Sequence, residues 1–248
     1  MTMGDLLVRG MVAGLIASVL AFGFASLIGE PPIEAAIALA DTTTNPAHAT
    51  DDSPVVTRVV QRTIGLATGI AMLGTAFGGF FAIAFAFIAG RVGAFSARAT
   101  ALGIALTAWG VIYLIPYLKY PPNPPAVGDA ETIQYRTAMY LAMLAISVFA
   151  AVAALALGRH MTAQSGAWNA SLVAGGLFLA VVTAGYLLLP VINEVPETFP
   201  ASLLWSFRLA SLGTQFVLWT AIGLVFGTLT ERALHGSQQP SLPRAGAR

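Results

Sequence analysis

The 248-residue sequence contains no cysteine, only three histidines, and few charges: 12 basic and 11 acidic side chains, 9% of the chain, for a net charge of +1. The missing cysteines exclude disulfides, cysteine nucleophiles and thiolate metal sites, and leave the redox compartment unread. Soluble domains carry about 25% charged residues. A chain with so few could not cover a water-facing surface, so a soluble globular domain is set aside. Near-neutrality argues against nucleic acid as a partner. No Gly-x-x-x-x-Gly-Lys-Ser/Thr stretch is present to hold a nucleotide, and no zinc-ligand spacing or hydrolytic triad can be assembled from His48, His160 and His235. The expectation is that the chain is not an enzyme and holds no stably bound cofactor.

What fills the chain is apolar: 57% of residues are hydrophobic, in continuous runs rather than the alternating segments of a β-barrel. A bilayer core about 30 Å thick needs about 20 apolar residues per helix. Six runs meet this, at 11–28, 64–89, 99–118, 137–157, 168–191 and 209–229, and the longest connection is 29–63. The reading is an all-α polytopic membrane protein with six transmembrane helices. Residues 1–235 form one transmembrane domain and 236–248 a disordered polar tail. Arg9 before the first run and Ala38-Leu39-Ala40 after it imitate a cleavable signal. Gly29-Glu30-Pro31-Pro32 separates the two, however, so a retained helix is expected.

Charge sets the orientation. One face carries Arg9, Arg91, Arg98, Arg159, Arg232, Arg244 and Arg248 against Asp5 and Glu231. The other carries Arg58, Arg62, Lys119, Arg136 and Arg208 against nine acids, among them Glu30, Asp41, Asp51, Asp52, Asp129 and Glu194. Both termini are therefore placed in the cytoplasm and the acidic, proline-rich loops outside.

Outer loops close on Gln61-Arg62, Tyr135-Arg136 and Phe207-Arg208, at intervals of 74 and 72 residues. Two readings follow. One is a pseudo-repeat of three helical hairpins, with a site where repeats meet. The other is three independent arginines snorkelling at the membrane edge. Gly10/Gly14, Gly65/Gly69, Gly74/Gly78 and Gly223/Gly227 are spaced four apart in or beside runs 1, 2 and 6. Such spacing predicts close packing of those helices.

Candidate chemistry lies at the outer edge. Asp41, His48, Asp51 and Asp52 combine imidazole with carboxylates, a donor set for cobalt, nickel or zinc; a solvated polar loop is the competing reading. Glu30 and Glu194 sit just past runs 1 and 5, with Arg62, Arg136 and Arg208 as available partners. They form either a cation-attracting mouth with a salt-bridge gate or interfacial capping pairs. Run 6 aligns Arg208, Ser211 and Gln215, and run 4 aligns Arg136, Met139, Tyr140, Met143 and Ser147. An amide such as Gln215 in hydrocarbon needs a partner or a wet cavity, so it either lines a path or bridges helices. Four prolines stiffen the loop Lys119-Tyr120-Pro121-Pro122-Asn123-Pro124-Pro125, which suits a preformed cap or docking surface.

The sequence resembles the CbtA family of predicted cobalt transporter subunits of bacteria. The resemblance rests on Val8-Arg9-Gly10-Met11-Val12-Ala13-Gly14-Leu15, Gly29-Glu30-Pro31, Gln61-Arg62 and Gly78-Gly79-Phe80-Phe81-Ala82. It continues with the stretch from Tyr117 to Asp129, Gly166-Ala167-Trp168-Asn169, Asn193-Glu194-Val195-Pro196 and Phe207 to Gln215. It implies a component of cobalt uptake linked to cobalamin synthesis in the bacterial cytoplasmic membrane, with Co2+ as cargo. It also implies a small single-span partner, CbtB, bearing histidines. Chains of this family often carry several histidines in the first outer loop; here His48 stands alone. Metal capture would then fall to the partner, or the cargo would differ. The alternative function is a non-transporting membrane scaffold that docks a partner protein.

Overall fold

A computed structural model describes residues 2–43, 56–91, 95–125 and 127–236. Among these the secondary structure is helical, without strands. The helices are α1 (Met3–Phe24), α2 (Glu30–Thr43), α3 (Arg58–Val60), α4 (Leu66–Ile88), α5 (Ala97–Ala108), α6 (Ile115–Lys119), α7 (Ile133–Leu188) and α8 (Ala201–Gly236). π-Helical turns at Ala25–Gly29, Gln61–Gly65 and Trp109–Leu114 carry α1 into α2, α3 into α4 and α5 into α6. Five of the resulting stretches are long and apolar enough to cross a membrane. Helix extends well beyond the expected runs. Residues 3–43 are helical where 11–28 was read, and helix covers most of the expected inner loop 158–167.

Two of the π turns have a covalent cause. Proline has no N–H and its ring crowds the carbonyl four residues earlier. Pro31 and Pro32 follow the first π turn and Pro116 follows the third, so the ladder widens where it cannot close normally. A carbonyl freed at the third turn finds a side chain: Ser147 donates to the Val111 carbonyl at 2.7 Å. Just past that turn, Tyr186 donates to the Ile115 carbonyl at 2.6 Å.

The 56-residue α7 would be about 84 Å long if straight. It is not straight: Gly166 has φ 76° and ψ 161°, and two helices join there. Their flanks meet again along their length. A Cβ on Gly158 would lie 3.3 Å from Ala174 Cβ, and one on Gly185 would lie 3.0 Å from Ile146. The chain therefore doubles back at Gly166, where only glycine enters left-handed geometry without strain.

The described residues fall into two compact units. The first takes those of 1–22, 59–106 and 217–248. Within it α1 and α4 touch backbone to backbone. A Cβ added at Gly10 would fall on the Gly78 carbonyl, and one at Gly14 on the Gly74 carbonyl. Ser18 Oγ sits beside this contact and bonds the Gly14 carbonyl at 2.8 Å and the Ile70 carbonyl at 3.0 Å. Phe77 stacks on Trp219, and Phe226 meets Phe81 and Phe85 edge-on. Gly223 and Gly227 let α8 approach Ala101, Ala105 and Arg98 of α5. Three of the four glycine pairs thus pack as expected, although α5 was not foreseen as a partner. The pair Gly65/Gly69 does not: nothing lies within 4 Å of a Cβ on Gly69.

The second unit takes the described residues of 23–58 and 107–216. It holds all six tyrosines, Tyr113, Tyr117 and Tyr186 among them, the proline-rich loop and the segment 189–200.

Candidate functional site

The proline-rich loop meets the segment after α7 and the first turns of α7 and α8 around a cleft of about 310 Å³. Tyr120, Asn123, Arg136, Thr137, Tyr140, Asn193, Glu194 and Arg208 supply its polar lining, with Pro121, Pro122, Ile133, Ile192 and Val195 beside them. Two of the three spaced arginines, Arg136 and Arg208, line this one cleft.

Glu194 and Arg136 pair, with Arg136 Nε at 3.2 Å from the carboxylate. Glu194 is further engaged. The Thr132 hydroxyl donates to Oε1 at 2.7 Å and the Asp129 N–H to Oε2 at 3.0 Å. Arg136 Nη2 donates to the Asp129 carbonyl at 3.0 Å. The carboxylate therefore clamps the end of the proline-rich loop onto α7. The Thr132 hydroxyl, then the Asp129 N–H, then the Arg136 charge hold its carboxyl below the usual range. Gly128 is part of this clamp. Its φ is +104°, and a Cβ there would come within 2.6 Å of Arg136 Nη1 and 3.0 Å of Glu194 Oε2.

Arg208 is held differently. Its Nε donates to the Pro122 carbonyl at 3.3 Å and its Nη2 to Asn123 Oδ1 at 3.0 Å. Among the described residues no carboxylate pairs with it. Below it runs a line of hydroxyls. Tyr117 donates to the Arg208 carbonyl at 3.0 Å, Tyr113 and Ser211 share a hydrogen bond of 2.6 Å, and the Tyr113 and Tyr117 rings lie 5.7 Å apart. Gln215 follows Ser211 one helical turn on and is half-buried. Trp109 packs edge-on against Phe216 at 5.1 Å, and its buried indole N–H has no partner among the described residues.

The other expected residues are placed as follows. Glu30 is buried at the start of α2 and pairs with Arg58, a partner that was not foreseen. Arg62 lies in the π turn Gln61–Gly65. His48, Asp51 and Asp52 lie outside the described residues, and among the described residues no three histidine, aspartate or glutamate side chains gather to hold a metal. Sequence reasoning missed Thr132, Asn123, Tyr113 and Tyr117. The tyrosines alternate at i and i+4 along a helix, a spacing that could have revealed them.

A family model described as "Probable cobalt transporter subunit (CbtA)" matches residues 3–231. No curated protein and no solved structure matches the chain.

Proposed function

Because the chain belongs to the CbtA family, we propose that it is the membrane-embedded core of a divalent-metal uptake system with cobalt as cargo. The match over residues 3–231 carries this reading. The cleft and the hydroxyl line beneath it add a physical route. Polar groups are expensive in hydrocarbon unless they face one another or water, and here they continue from the cleft along Tyr117, Tyr113 and Ser211. Gln215 and Trp109 extend the line. The reading takes six crossings, counting α7 as two, and the three-hairpin arrangement of the arginines. It places both termini in the cytoplasm and the cleft outside, in the bacterial cytoplasmic membrane. The protein catalyses no reaction of its own. Each inward charge gains about 2.3 kcal/mol per 100 mV of membrane potential. A small single-span partner carrying histidines supplies the metal capture that one loop histidine cannot.

Radioactive cobalt accumulation in starved cells tests this, with the chain alone and with the partner. Uptake is expected with the partner, and Gln215→Leu should lower it at unchanged protein level. Glu30→Gln and Glu194→Gln should also lower it. Absence of uptake with both proteins in the membrane would reject transport in favour of a docking scaffold.

A further inference from the structure

We propose that the cleft is an oxyanion-binding site, built for a carboxylate or phosphate group, with Arg208 as its anchor. The inference goes beyond the transport reading and stands or falls without it. Three observations carry it. First, the charged residues lining the cleft are two guanidiniums and one carboxylate. That carboxylate is spent: Arg136, Thr132 and the Asp129 N–H all engage Glu194. Arg208 remains uncompensated, bonded to a carbonyl and an amide oxygen. Lys119, whose ammonium lies 5.7 Å from the Tyr120 ring, is likewise bonded to a carbonyl, that of Tyr186.

Second, the lining offers free donors but no free carboxylate. Asn123 Oδ1 is taken by Arg208, which leaves its NH2 to donate. Asn193 Oδ1 accepts from the Val195 N–H at 3.4 Å, which leaves its NH2 likewise. The Tyr140 hydroxyl has no partner among the described residues. Arg208 Nη1, two amide NH2 groups and a phenol suit a ligand that only accepts. A metal cation finds hydroxyl oxygens there but no free carboxylate. Third, about 310 Å³ is the size of a small ligand pocket, with apolar walls from prolines and isoleucines. Guanidinium forks match carboxylate and phosphate geometry.

The test is calorimetric titration of the purified chain in nanodiscs of phosphatidylcholine, with citrate and with inorganic phosphate as probes at constant ionic strength. At least one should bind. Arg208→Gln should weaken it roughly tenfold or more, as loss of a charge-assisted hydrogen bond does. Asn123→Asp sets a carboxylate against Arg208 at the same position and should weaken binding similarly, even if Arg208→Gln fails to fold. Arg159→Gln, on the exposed surface of α7, should bind as the wild type does. Repeating the titration in phosphatidylglycerol discs separates the sources. Weaker citrate binding there assigns the site to a lipid headgroup, and unchanged binding assigns it to a soluble anion. If neither probe binds in phosphatidylcholine, or if Asn123→Asp binds as tightly as wild type, the proposal is wrong.

Discussion

Replacing Gly14 by alanine tests whether α1 and α4 are held by backbone contact rather than by side chains. The added Cβ would fall on the Gly74 carbonyl oxygen, 2.7 Å from its carbon and 3.2 Å from Gly78 Cα. Backbone cannot swing aside as a side chain tip can. The helices must part by about 1 Å, and a gap of that size forfeits a quarter to a half of each dispersion contact along the seam. The seam also holds Ser18 Oγ to the Ile70 carbonyl at 3.0 Å; an interhelical bond of this type is worth about 0.6 kcal/mol in membrane proteins. Overpacking costs about 1–3 kcal/mol. Together these predict a loss of about 2–3 kcal/mol for Gly14→Ala. The assay is thermal unfolding in detergent followed by tryptophan fluorescence, with Trp219 stacked on Phe77 in the same unit as reporter. The control is Gly175→Ala, where no atom lies within 4 Å of the new Cβ. It should leave the midpoint unchanged or raise it, since alanine is the better helix former by up to about 1 kcal/mol. Equal midpoints for Gly14→Ala and wild type, or an equal drop in Gly175→Ala, would refute the packing argument.

Three further outcomes follow from the second unit. Gly128→Ala forces a Cβ into a φ of +104° and against Arg136 and Glu194. It should cost about 1–3 kcal/mol and speed proteolysis of the proline-rich loop; an unchanged cleavage rate would show that the clamp does not hold that loop. Glu194 has a folded-state pKa below its ordinary 4.5, so its contribution to stability is present above pH 4.5 and is lost as pH falls through the lower folded value. Glu194→Gln should therefore show a shallower loss of melting temperature on acidification below pH 4.5 than wild type, and identical slopes would count against the clamp. Ser147→Ala removes the 2.7 Å bond to the Val111 carbonyl in the π turn. It leaves that acceptor short of a donor, at a cost of about 1–3 kcal/mol; a drop under 0.5 kcal/mol in the same melting assay would show that the π turn needs no support.

Much of this architecture is legible in the residues because a membrane imposes simple rules. Long apolar runs mark the crossings, and glycines four apart mark the α1–α4 seam, since close approach needs a missing Cβ. Arg136 could be named among three candidate partners of Glu194, but only the structure selects it. Other features depend on information that runs do not carry. Two of the π turns follow from Pro31, Pro32 and Pro116, but a proline fixes where the ladder fails and not how it is repaired; repair at Val111 needed Ser147, remote in sequence. The joint at Gly166 was read as a loop of ten residues. One positive φ proved sufficient, with helix on both sides. Glu30 chose Arg58 over the three spaced arginines because a 35-residue connection can bring any of its members back. Gly65 and Gly69 match the packing motif yet face no neighbour at Gly69, since spacing tells which residues share a face and not what lies opposite.

The proposed cargo and the cleft pull against each other, and the size of that conflict constrains the proposed mechanism. A divalent ion about 6 Å from the uncompensated Arg208 would feel a repulsion of about 5.5 kcal/mol at an effective dielectric constant near 20. That is about four powers of ten in occupancy. Glu194 cannot offset it while Arg136, Thr132 and the Asp129 N–H hold its oxygens. A bare cation would therefore avoid this cleft in its present arrangement. Passage through it requires either release of Glu194 from its clamp or a metal whose charge is already masked by carboxylate or phosphate ligands. The two routes differ in an observable. Release predicts that Thr132→Ala, which loosens the clamp, raises cobalt uptake at fixed protein level. Masking predicts that uptake rises with added citrate and that Thr132→Ala leaves it unchanged.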